Sequence, residues 1–240
     1  MEQKNNYNIF KPYNKFLNNS IIFMIIVLFL YCYFGSYSFF EKYFSNVIDY
    51  EYWKIIYHHL SAFVLFFVFG LIFSKFIIKN PLKETGLCFG NWKLGLILCA
   101  IATAVIPLLG LSTVLDEGMK GTYPLIDFNK YSSWYYILGY FVSYLLYYIG
   151  WEFLFRGIGL FNLQKGGLSP LSAILITTLV SALIHTSIAG LGKPMIETLS
   201  AIPAGLIFGY IAYLTKSIYY GLYMHILVGF STDLFIYLLV

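Results

Sequence analysis

Gly150-Trp151-Glu152-Phe153-Leu154-Phe155-Arg156-Gly157 lies within an apolar run from Ser132 to Asn162 whose only charged side chains are Glu152 and Arg156. The run exceeds the roughly 20 residues that cross a hydrocarbon core about 30 Å thick. A carboxylate or guanidinium at that depth costs at least a few kcal/mol unless it meets a partner or a cavity. Glu152 and Arg156 stand four residues apart on one helix face and can pair. The fold is therefore a membrane fold, and its ionisable groups inside the apolar segments are where function is to be sought.

The rest of the chain extends that reading. Its 240 residues are 60% hydrophobic and 11% charged, with a mean hydropathy of +0.75, outside the range of soluble globular domains. Seven windows qualify as spans, at about Ser20–Phe40, Ile55–Ile78, Trp92–Val114, Ser132–Asn162, Pro170–Ile188, Glu197–Thr215 and Ser217–Val240. The expected fold is all-α, a polytopic bundle of about seven transmembrane helices. Residues 1–130 form a cytoplasmic segment with three helices, and residues 131–240 a core of about four. The first span lacks a small-residue cleavage pattern after it and reads as an anchor.

Lys4, Lys11, Lys15, Lys75, Lys79, Lys83, Lys93, Lys165 and Lys216 gather at one end of these spans, whereas the other end carries Glu41, Asp49, Glu51, Asp116, Glu117 and Asp127 against Lys42, Lys54, Lys120, Lys130 and Lys193. The positive-inside rule then puts the amino terminus in the cytoplasm and the carboxyl terminus outside the cell. The net charge of +4 needs no nucleic acid to explain it, and the partner expected from composition is membrane lipid. Cys32, Cys88 and Cys99 have no paired spacing and read as small hydrophobes.

Glu152, Arg156, His185 and His225 fall well inside spans, with Lys193, Glu197 and Asp233 nearer the outer ends. At 1.5 Å per residue from the basic ends, Glu152 lies at roughly 15 Å, His185 at roughly 22 Å and His225 at roughly 12 Å, one layer fit for acid/base work. Glu197 and Asp233 come out at roughly 25 Å, an outer tier shared with Lys193. A buried ion pair that only ties helices together is the plainer account of Glu152 and Arg156. Two histidines at the depth of a glutamate favour a site instead. His58 and His59, at the outer start of the second span, read as interfacial. Gly190 to Pro194 reads as a breaker-rich turn, a lid at most.

Three segments carry a family resemblance: Trp151-Glu152-Phe153-Leu154-Phe155-Arg156-Gly157, Ser181-Ala182-Leu183-Ile184-His185 and His225-Ile226-Leu227-Val228-Gly229. In order, spacing and helix placement they resemble the CAAX prenyl endopeptidase and bacteriocin-processing (CPBP, or Abi) family, over roughly Trp134 to Val240. That family's pattern is Glu-Glu-x-x-x-Arg, Phe-x-x-x-His and His-x-x-x-Asn or Asp. Here Trp151 stands at the first Glu, Ser181 at the Phe and Gly229 at the Asn or Asp. Gly192-Lys193-Pro194, Glu197 and Asp233 are similar to a variant within the family.

The resemblance implies an intramembrane peptidase acting on a peptide or membrane-protein substrate. Because Trp151 and Gly229 stand at family positions, the roles are reassigned, with Glu152 as general base on a water shared with His185, His225 stabilising the oxyanion and Arg156 keeping Glu152 ionised. Glu197 is the candidate second carboxylate if the outer turn folds inward. Glu152, His185 and His225 also match the ligand set of a catalytic zinc site, but no His-Glu-x-x-His helix is present. The reading prefers a metal-free mechanism that needs no cofactor, with zinc as the alternative. The rival from another class is a non-catalytic immunity or scaffold protein of the same fold.

Overall fold

The computed structural model describes residues 14–186 and 192–240, and among these there are helices and no strands. Eight helices carry the architecture: α1 (Lys15–Phe34), α2 (Tyr37–Phe44), α3 (Tyr50–Ile78), α4 (Trp92–Leu115), α5 (Trp134–Lys165), α6 (Pro170–His185), α7 (Met195–Thr215) and α8 (Tyr219–Leu239). Six of them, all but α2 and α6, are long and apolar enough to cross a membrane. The expected bundle of about seven spans is thus six long helices and one shorter apolar helix, α6. Its 16 residues rise about 24 Å, and part of the expected fifth span, 187 and 188, lies outside the described residues.

Local chemistry sets the ends. Asn14 caps α1, its side chain accepting from the amides of Phe16 and Leu17. Ser169 caps α6, with Pro170 at its first position. The expected first span divides at Gly35, and Ser36 starts α2 as a separate helix.

Helix α5 is the axis of the bundle. From Gly150 to Leu163 every residue is buried, because α1, α3, α6, α7 and α8 all pack against it. Exposed Ile25, Phe29, Leu108 and Leu183 on the surrounding helices face outward, as a surface solvated by lipid requires. Gly150 permits a close approach of backbones, since a Cβ there would stand 2.8 Å from the Ala62 carbonyl oxygen of α3. Immediately after Glu152, α5 widens into π-helical turns over Phe153–Phe161, a rare geometry that often accompanies functional sites and that α3 also adopts over Phe63–Val68 and Phe73–Ile78.

Candidate functional site

The Glu152 side chain is fully buried, with Arg156 Nη1 3.3 Å from Oε1. The His225 ring brings Nδ1 to 2.8 Å from the same oxygen. Arg156 also donates to the Gly205 carbonyl at 3.5 Å and lies over the Phe208 ring. With a carboxylate as acceptor, the neutral His225 ring is the tautomer with its proton on Nδ1, in which Nε2 offers a lone pair. The arrangement is a carboxylate behind an imidazole, with the guanidinium balancing the charge.

His225 opens onto a cavity also lined by His59, His185, Lys193, Glu197 and Tyr123. Its volume, about 30 Å³, suits on the order of two waters. His185 donates from Nδ1 to the Ser181 carbonyl at 2.8 Å, the tautomer in which the neutral ring has a lone pair on Nε2. Trp151 packs edge-on against the His185 ring, centroids 5.4 Å apart, and its indole Nε1 donates to Ser181 Oγ at 3.2 Å. Two positions that depart from the family pattern therefore bond to each other and together hold His185.

The two tiers inferred from helix depth are interleaved. The Lys193 amide donates to the His185 carbonyl at 2.9 Å, so the chain folds back beside the histidine before α7 begins. This inward turn brings Glu197 to the cavity, while Glu152 sits behind His225 and does not line it. Of the turn expected at Gly190 to Pro194, Gly190 and Leu191 lie outside the described residues.

Tyr123, from the α4–α5 loop, donates to both Glu197 oxygens at 2.9 and 3.0 Å and accepts from Lys193 Nζ at 2.7 Å. Burial first, and then the Glu197 carboxylate, push the Tyr123 phenol well above its ordinary range, so it stays a donor. Asp233 lies apart from the cavity, fully buried and taking a 2.6 Å hydrogen bond from Tyr140.

Sequence reasoning set aside His58 and His59 as interfacial, yet both are buried against the cavity. A histidine pair on a helix otherwise rich in aromatic residues was the available signal. Tyr148 was also missed, and its ring centroid lies 4.3 Å from that of His225. A Cβ at Gly229 would stand 2.1 Å from the Tyr148 hydroxyl and 3.0 Å from that of Tyr144. Tyrosine hydroxyls thus occupy the space that a side chain at position 229 would fill.

The donors do not form the zinc set matched in the sequence. Glu152 lies behind His225 with one oxygen committed to it, and among the described residues no three His, Cys, Asp or Glu side chains converge on a point that could hold a metal ion.

Fold and cavity together define a polytopic helical membrane protein with histidines, a carboxylate and an ammonium around a water-sized internal space. Residues 132–231 match the family model of the type II CAAX prenyl endopeptidase Rce1-like domain. That stretch begins just before α5 and ends within α8, and the match agrees with the resemblance that its three motifs carry. Searches among curated proteins and among solved structures gave no significant match.

Proposed function

We propose that the protein is an intramembrane peptidase that hydrolyses a peptide bond of a membrane-associated substrate with a histidine-activated water. The Glu152–His225 contact carries this reading, because it leaves Nε2 as the nitrogen available to a water-sized cavity. In this scheme His225 Nε2 takes a proton from water while the oxygen attacks the scissile carbonyl, and the imidazolium passes that proton to the leaving amine. Glu152 acts through His225, holding its tautomer and stabilising the charge it gains, and Arg156 keeps Glu152 ionised. The role first expected of Glu152, direct activation of water, passes to the histidine in front of it.

His185 holds the water from a second side. Donors for the oxyanion are the Lys193 ammonium and the Tyr148 hydroxyl, carried by two residues that line the cavity. Glu197 keeps Lys193 and Tyr123 in place. A cavity for about two waters is too small for a peptide, so substrate enters after the Tyr123 loop moves away from Glu197. The Lys-rich ends of the helices face the cytoplasm in this reading, with Val240 outside.

Comparative membrane proteomics of cells carrying the wild type, His225→Gln and Glu152→Gln is the test. The expected result is a peptide that accumulates in both variants, with turnover reduced by about 10²-fold or more in His225→Gln. Identical peptide profiles in all three under every growth condition would sink the peptidase reading and favour an immunity or scaffold role.

A further inference from the structure

The family match begins at residue 132, but the cavity does not stop there. We propose that His59, on α3 and outside the matched region, is a third imidazole of the site and holds the reacting water through Nε2. This inference rests on the peptidase reading above, and its geometry stands apart from it.

The proton on the His59 ring can be placed from its neighbours. Its Nδ1 lies 2.9 Å from Ser143 Oγ, and the single hydroxyl proton of Ser143 is already donated to the Tyr140 carbonyl at 2.8 Å. Ser143 can only accept from His59, so Nδ1 carries the proton and Nε2 keeps a lone pair. No hydrogen bond engages Nε2 among the described residues, and the ring lines the cavity. Stacking on Tyr144, centroids 4.9 Å apart and planes within 4°, fixes the ring plane.

Adjacent His58 provides the contrast. Its Nδ1 donates to the Gly35 carbonyl at 2.7 Å, and its Nε2 accepts from the Tyr31 hydroxyl at 2.9 Å. Both nitrogens are engaged, which makes His58 a structural joint between α1 and α3. His59 instead repeats the pattern of His185 and His225: Nδ1 tied to protein, Nε2 left for the cavity.

Three such nitrogens and the Glu197 carboxylate are four acceptor groups around a space for about two waters, which carry four O–H donors between them. The acceptors hold the nucleophile, while Tyr148 and Lys193 supply donors for the charge that develops on the carbonyl.

The chain has four histidines, so the full-length protein in nanodiscs with ¹⁵N-labelled histidine yields an NMR spectrum of four rings. The expected result is a neutral His59 with Nδ1 protonated and Nε2 bare, and a cross-peak from its ring to water. An Nε2-protonated His59 would overturn the proposal. In the proteomic assay, His59→Asn preserves a donor to Ser143 but presents nothing at Nε2. It should raise the peptide that accumulates in His225→Gln by roughly tenfold over wild type, as loss of one hydrogen bond to the water implies. His59→Gln, which returns a polar atom near Nε2, should recover part of that loss.

Normal processing by His59→Asn, with His225→Gln blocked, would overturn the proposal. If His225→Gln accumulates nothing, the peptidase reading fails, and His59 is decided as a water ligand by its tautomer and water contact alone. The wild-type spectrum also decides the case if His59→Asn does not fold.

Discussion

At the scale of single residues, the positions that depart from the family motif are the best accounted for. Trp151 and Ser181 are joined by a hydrogen bond in the buried interior. Ser181→Ala should lower stability by about 1 kcal/mol through the lost bond, Trp151→Phe by more because the smaller ring also leaves a cavity, and the double variant by less than the sum, since the shared bond is lost only once. A thermal-melt double-mutant cycle in detergent reads this coupling. Gly229→Ala should destabilise by about 1–3 kcal/mol through overpacking against Tyr148. Adding Tyr148→Phe should restore part of the melting temperature but not peptide turnover, because the hydroxyl in the way is also the proposed oxyanion donor. Arg156→Met leaves Glu152 buried without its guanidinium, and the expected loss is about 3–5 kcal/mol, visible as a large fall in melting temperature.

Among the elements, α5 has the most to do. Its neighbours bury the stretch around Glu152 on every side, and the π-helical turns that follow place Arg156 beside the carboxylate. Gly150 lets α3 approach closely enough for His59 to reach Ser143 on α5. Gly150→Ala places a methyl group against the backbone of Ala62 and Phe63, where no side chain can yield. The expected outcome is a loss of about 1–3 kcal/mol and a changed His59 tautomer in the ¹⁵N spectrum, whereas a merely looser helix pair would lower stability and leave the tautomer as it was.

The whole molecule is a bundle whose surface is made for lipid and whose polarity is turned inward. Lys165 pairs with Glu84 and reaches the Asn80 side chain, and Lys15 donates to the Ile78 carbonyl, so part of the Lys-rich end is tied into the helix termini. If that end faces the cytoplasm, alkaline phosphatase fused after Val240 should be active and a fusion at the Gly166–Gly167 turn inactive. The reverse pattern would invert the orientation.

Membrane residence, the long helices and the presence of Glu152, Arg156, His185 and His225 within apolar segments were legible from the sequence by itself. Apolar length and the cost of buried charge depend only on residue type and spacing along a helix. The tertiary structure alone decided which of those groups face the cavity. Straight, untilted helices put Glu197 and Lys193 in a separate layer, but a hydrogen bond from Lys193 back to His185 draws both to the cavity. His59 and Tyr148 escaped for the same reason: in a bundle, a side chain's direction is set by the helix packed against it, and no spacing within its own helix records that.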